Sequence, residues 1–171
     1  MKVDELLYFI KPKNFKTHSL PKRLIVSLTS YPKRFSILHL ALKSILNQSL
    51  KPDKIILWLW HKDCISLPAN IRELESEGLE IKLLEDDWKS FNKSIPVLYE
   101  FSDDYLVTAD DDVIYNSTWL EELVMSHKKI GGIIAQRAHL VQFNIDKTLK
   151  SYNDFMSETP QENYFILNSP L

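Results

Sequence analysis

Three scarcities set the first limits. The 171 residues include one cysteine, Cys64. A single thiol excludes an internal disulfide framework and any metal site built from several cysteines. Its plain reading is an ordinary thiol in a reducing compartment. Glycine occurs three times, and the chain has neither a G-x-G-x-x-G turn nor a Walker loop. Any phosphate must therefore be held by a metal and side chains. No apolar run approaches the roughly 18 residues that span a bilayer. The N-terminus, MKVDELLYFIKPK, carries acidic residues where a signal peptide is basic, and its apolar run is short. These features predict a cytoplasmic protein. An excess of one charge is also lacking. The formal net charge of −2 gives no electrostatic reason to expect nucleic acid or an anionic membrane as the main partner.

The composition is globular, with 44% hydrophobic and 26% charged residues. The length suits one ordinary domain with a real core. Residues 1–23 read as a leader in which Leu6, Leu7, Phe9 and Ile10 could pack as a short helix, broken by Pro12 and Pro21. Residues 24–28, LIVSL, form an apolar run without helical period and predict a buried strand. The polar segment TSYPKR follows it. Leu38, Ala41, Leu42, Ile45 and Leu46 fall at i, i+3, i+4, i+7 and i+8, which predicts an amphipathic helix. Residues 54–60, KIILWLW, predict a second buried strand. A helix is expected from Leu67-Pro68 to about Glu77, with Gly78 just beyond its end. Residues 79–84 predict a third strand, followed by Glu85-Asp86-Asp87. A short helix is expected over 93–101 and a fourth strand over 105–109. Thr118-x-x-Glu121 reads as a capping box for a helix with Leu120, Leu123, Val124 and His127 on one face, ended by Gly131-Gly132. Ile133-Ile134-Ala135 predict another strand, and 164–167 a last one. Trp58 and Trp60 read as core or sheet-edge aromatics.

Alternating strands and helices, with strands apolar on both faces, predict an α/β fold: a mostly parallel, Rossmann-like sheet with helices on both faces. The expected division is a leader over 1–23, a main domain over 24–143 and a further segment over 144–171. In such folds the ligand sits beyond the carboxyl ends of the strands. The segments 29–34, 85–87 and 110–112 are all expected on that rim.

The stretch YLVTADDDVIY, residues 105–115, holds three consecutive aspartates, Asp110, Asp111 and Asp112. Adjacent carboxylates repel one another and call for a cation or hydrogen bonds. In an extended segment Asp110 and Asp112 share one side and Asp111 takes the other. Two carboxylates would face a metal or a ribose while the third anchors the loop. A divalent cation such as Mg2+ or Mn2+ commonly takes one or two carboxylates plus substrate phosphates. Other readings stand beside this one. A solvated acidic turn before a helix has the same composition. A calcium loop would place Asp110, Asp112 and Glu121 at positions 1, 3 and 12, but puts Ile114 and Tyr115 where an oxygen ligand and a glycine belong. A paired-carboxylate hydrolase needs two separated carboxyls that this triplet does not supply by itself.

Several segments taken in order (SLTSYPKR at 27–34, SILNQSLKPDKIILWL at 44–59, Lys93 with the helix after it, and YLVTADDDVIYNSTWLEEL at 105–123) resemble nucleotide-sugar glycosyltransferases of the GT-A type. The nearest resemblance is to bacterial enzymes related to family 2, over about residues 24–140. The resemblance implies a GT-A-like fold and a nucleoside-diphosphate sugar donor, usually a UDP-sugar. It implies Mn2+ or Mg2+ as the cofactor, with Asp112 the best metal ligand and Asp110 beside it and nearer the ribose. Asp111 belongs to the same nucleotide-sugar motif. Thr29, Ser30 and Tyr31 would receive the base, and Arg34 would meet the diphosphate or brace the loop. Asp87 would contact base or ribose, and Lys93 would neutralise phosphate charge. Arg34, Asp87 and Lys93 read equally as a surface arginine, a helix cap and a solvated lysine. Arg137 and His139 would line the acceptor side, and His139 reads at least as well as a structural histidine. The implied acceptor is a glycan or lipid-linked saccharide, with no transmembrane segment and room for peripheral membrane association.

The acceptor half departs from that pattern. An inverting enzyme of this type needs a carboxylate base downstream of the metal motif, and 59 residues follow Asp112. Asp154, Glu158 and Glu162 are the late carboxylates, none in a motif that identifies it as the base. Two expectations follow: an active metal-dependent glycosyltransferase with a minimal acceptor site, or a truncated or inactive donor-binding domain without turnover. A nucleotidyltransferase on a similar fold would carry a glycine-rich loop after the first strand, and residues 29–34 contain no glycine.

Overall fold

The computed structural model describes residues 14–136, 139 and 141–155. The expected helix around Leu6–Ile10 and the expected strand at 164–167 lie outside the described residues, as do Arg137, Glu158 and Glu162. The chain divides into two compact units, Met1–Glu121 and Glu122–Leu171.

The first unit is built on four strands: β2 (Leu24–Thr29), β4 (Lys54–Trp60), β5 (Leu79–Leu84) and β6 (Tyr105–Thr108). All pair in parallel, in the order β5-β4-β2-β6. The two central strands are the continuous apolar runs. Leu24, Ile25, Val26 and Leu28 of β2 are 0–1% exposed, so successive residues are covered on both faces of the sheet. The outer strands are more open, and Leu83 of β5 is exposed. Helix α1 (Phe35–Leu46) buries Leu38, Ala41, Leu42 and Ile45, the periodic stripe of its sequence.

The chain steps outward from β2 to β4 to β5, then returns to lay β6 on the other side of β2. The order therefore reverses between β2 and β6. Their ends are in register, with Ser27 opposite Thr108 and Ala109 N–H bonded to the Ser27 carbonyl at 2.9 Å. The segments leaving these two strands emerge side by side on the carboxyl rim. Residues 85–87 leave the same rim from β5, three strand spacings and so about 14 Å from β6.

Several expectations are corrected. The segment from Leu67 to Glu77 is not one helix: a four-residue α2 (Ala69–Arg72) passes into a 3₁₀ turn, Glu73–Glu77, closed by Gly78 at φ +107°. Only a left-handed residue ends the turn this way, which is why glycine stands there. The stretch at 93–101 is likewise a 3₁₀ turn, Lys89–Lys93, followed by a short α3 (Ile95–Glu100). Residues 16–17 are not merely leader. They form β1 (Lys16–Thr17), which pairs in parallel with β3 (Leu50–Lys51).

Helix α4 (Trp119–Ile130) begins in the first unit and ends in the second. Near its start, Thr118 N–H donates to Asn116 Oδ1 at 3.0 Å. The Glu121 carboxylate, expected to bond back to Thr118, accepts from Lys16 Nζ at 2.5 Å and Ser49 Oγ at 3.1 Å. In the second unit Gly131, at φ +76°, closes α4 by donating to the His127 carbonyl at 2.7 Å. The strand expected at 133–135 does not form. Ile133 is exposed, and an apolar triplet without a ladder partner has nothing to hold it as a strand. An antiparallel bridge joins Phe143 to Leu149.

Candidate functional site

The site gathers where the strand order reverses. The β6 segment supplies Asp110–Asp112. The turn after β2 supplies Ser30, Tyr31 and Arg34, and the turn after β5 supplies Lys93. Side-chain exposure alternates along the triplet: 57% for Asp110, 14% for Asp111 and 41% for Asp112. Two carboxylates are outward and one inward, as expected, but the backbone is not extended: β6 ends at Thr108, and Asp111 and Asp112 lie in a turn.

Each carboxylate has its own partner. Ser30, itself buried, donates its hydroxyl to Asp111 Oδ2 at 2.6 Å, and Arg34 Nη1 stands 3.9 Å from Asp111 Oδ1. The Arg34 guanidinium pairs with Asp112. Lys93 Nζ donates to Asp110 Oδ1 at 2.5 Å. Two cations against three carboxylates leave the cluster one net negative charge. The Arg34 hydrogen bond is the main reason the Asp112 carboxyl lies below its ordinary value. Burial opposes that shift, and the charges of Arg34 and Lys93 add to it. Arg34 is raised in turn, first by Asp112 and then by the side chain of Tyr31.

Tyr115 braces the triplet, a role that was not legible from its sequence. Its hydroxyl accepts the Asp110 N–H at 2.7 Å. Its ring packs on Trp119 with centroids 4.1 Å apart, and its own N–H donates to Ser44 Oγ at 3.0 Å. Burial, more than the nearby carboxylates, pushes the phenol up to about 12, so it serves as a neutral hydroxyl.

Behind the loop lies Gln48, fully buried and equally undetected in sequence. Its Nε2 donates to the Ser44 carbonyl at 3.0 Å and the Asn116 carbonyl at 2.7 Å. Its Oε1 accepts the Leu120 N–H at 2.9 Å. One side chain thus satisfies a carbonyl in the last turn of α1, an N–H in the first turn of α4 and a carbonyl of the loop between β6 and α4.

The remaining candidates take these places. Thr29 Oγ1 donates to the Trp58 carbonyl at 2.8 Å and so ties β2 to β4. Tyr31 is exposed beside Arg34. Asp87 builds the turn that presents Lys93: it accepts from Lys89 N–H at 2.9 Å, Lys89 Nζ at 2.5 Å and Asn92 Nδ2 at 3.0 Å. Those bonds stabilise Lys89 in a left-handed conformation, φ +58°, that a non-glycine residue rarely adopts. Trp58 is core, while Trp60 Nε1 donates to the Glu85 carbonyl at 2.9 Å. In the second unit His139 packs against Tyr152 with centroids 5.3 Å apart, and Asp154 lies in a short 3₁₀ turn.

Among the described residues no three or more His, Cys, Asp or Glu side chains converge as a ready-made metal cage. The donor set nevertheless fits a magnesium or manganese ion. Such an ion bound with a diphosphate draws one or two carboxylates from the protein and completes its shell with phosphate oxygens and water. Asp110 and Asp112 are the outward pair. Among the described residues no helix is long and apolar enough to cross a membrane. No protein-family model and no curated protein matches this chain.

Proposed function

We propose that this chain is a metal-dependent glycosyltransferase of the GT-A type, taking a sugar from a nucleoside-diphosphate sugar, with UDP the expected diphosphate, to a saccharide or other acceptor. One observation carries the reading. The ends of β2 and β6 meet where strand order reverses, and there three carboxylates stand against Arg34 and Lys93. A crevice at that point in a parallel sheet is the favoured ligand position. Carboxylates mixed with basic groups suit a diphosphate accompanied by a divalent cation.

In this reading Asp112 and Asp110 hold Mn2+ or Mg2+, and Asp111, through Ser30, fixes the loop. Tyr31 offers its exposed ring to the base. Thr29 shapes the strand end rather than presenting its hydroxyl, which the Trp58 carbonyl already occupies. Arg34 and Lys93 neutralise phosphate charge. The bound metal supplies Lewis-acid stabilisation of the departing diphosphate.

A second reading, a donor-binding domain without turnover, is favoured by one observation. Asp87, Asp110, Asp111 and Asp112 are each already hydrogen-bonded or ion-paired, which leaves none of them as a free base for an acceptor hydroxyl. Thermal unfolding tests the feature shared by both readings. UDP with Mn2+ raises the unfolding midpoint of the wild-type chain, and Asp112→Ala removes that rise. A midpoint that ignores UDP and Mn2+, or an Asp112→Ala chain that responds like wild type, contradicts them.

A further inference from the structure

The two outward carboxylates of the site are already occupied. Lys93 Nζ lies 2.5 Å from Asp110 Oδ1, and the Arg34 guanidinium is bonded to Asp112 Oδ2. The cations come from different elements, Arg34 from the Pro32–Arg34 turn after β2 and Lys93 from the Lys89–Lys93 turn after β5. They hold one oxygen of each outward carboxylate, while the inward Asp111 is held by Ser30. We propose that Arg34 and Lys93 are exchangeable counter-ions: they oppose a lone metal ion and pass from carboxylate to diphosphate when metal and nucleotide load together. This rests on the nucleotide-sugar reading of the site and adds its order and coupling of loading.

The argument is one of partners. A charge-assisted hydrogen bond uses the lone pair that a metal would take. A metal arriving alone either displaces the guanidinium or the ammonium or binds the remaining carboxylate oxygens next to it, and in both cases leaves that cation beside a new positive charge. A diphosphate removes that cost, because it gives both cations an anion. Metal and nucleotide therefore bind with positive coupling, and by linkage each tightens the other by the same factor. A neutral residue at 34 or 93 has effects of opposite sign: the lone metal binds better and the coupling shrinks. These ion pairs are partly exposed, so removing one is expected to tighten lone Mn2+ binding by about two- to five-fold.

The test is calorimetry on the full chain with Mn2+ alone, UDP alone, and each in the presence of the other. Wild type is compared with Arg34→Gln, Lys93→Gln and Lys33→Gln. Lys33 is an exposed cation of the same turn, so its variant removes one positive charge without touching an aspartate pair assigned here. The expected result is lone Mn2+ bound about two- to five-fold tighter by Arg34→Gln and Lys93→Gln, coupling to UDP reduced at least as much, and Lys33→Gln like wild type. Unchanged or weaker lone Mn2+ binding in both variants overturns the proposal, as does an equal gain in Lys33→Gln. The wild type provides a measure that needs no variant: Mn2+ affinity that is the same with and without UDP overturns the coupling. If UDP does not bind wild type in Mn2+, the nucleotide reading itself fails. If UDP binds with Mn2+ while the variants keep wild-type lone-metal affinity, only the counter-ion exchange fails.

Discussion

Replacing Gln48 with methionine removes three hydrogen bonds at nearly constant volume. The Gln48 side chain is fully buried, so water does not take its place without rearrangement. The Leu120 N–H in the first turn of α4 loses the partner described for it outright, while the Asn116 carbonyl in the loop beyond the aspartates keeps the Trp119 N–H at 3.2 Å. The Ser44 carbonyl also loses a donor at the end of α1, where helix-internal donors run out. A buried polar group left unpaired costs about 1–3 kcal/mol, so Gln48→Met is expected to destabilise the fold by about 2–4 kcal/mol. For a chain of this length each kcal/mol shifts the unfolding midpoint by roughly 2–4 °C, which puts the expected drop at about 5–15 °C. Thermal unfolding followed by circular dichroism measures it directly, with urea unfolding as a check that the cooperativity is unchanged. A drop below about 2 °C would refute the claim that Gln48 fastens the loop to two helix ends.

Two further outcomes follow from the site. Tyr115→Phe keeps the stack on Trp119 but removes the hydroxyl that accepts the Asp110 N–H; it is expected to cost about 0.5–1.5 kcal/mol of stability and to weaken Mn2+-dependent UDP binding, and unchanged UDP affinity contradicts the bracing role. The Asp87 carboxyl is held below its ordinary value, first by the Lys89 ammonium, against the effect of burial and with help from Lys89 N–H and Asn92. A depressed carboxyl contributes stability that is complete above its unfolded value of about 3.9 and is lost as pH falls through the folded value. Asp87→Asn is therefore expected to flatten the fall in urea midpoint below about pH 4, and a slope identical to wild type contradicts it.

Much of the sheet was legible because it depends on local pattern. The run KIILWLW reads as a buried strand since residues of both parities are apolar, and β4 spans those seven residues. The stripe of α1 and the left-handed Gly78 are equally local. The alternation of Asp110, Asp111 and Asp112 is that expected of an extended segment, but Asp111 and Asp112 lie in a turn beyond the end of β6, so their exposures are set by that turn and by Ser30, Arg34 and Lys93. The fastening of the site is not local. Gln48 and Leu120 are 72 positions apart, and nothing in the residues around Gln48 distinguishes it from a polar residue closing a helix. Tyr115 has an aromatic's usual claim to the core, and its bond to Asp110 depends on how the loop turns. Ile133-Ile134-Ala135 carried the composition of a strand without the neighbour a strand requires. Asp87 had two readings in sequence; the structure uses it to cap the turn that delivers Lys93 to Asp110.

The central claim is that Asp110–Asp112 hold a nucleoside diphosphate through a divalent metal. Calorimetric titration of UDP into the wild-type chain, once with Mn2+ and once with the metal chelated, tests it most directly. The account predicts saturable one-to-one binding in Mn2+ that disappears, or weakens many-fold, when the metal is removed. Binding of equal strength in both conditions, or none in either, would contradict it.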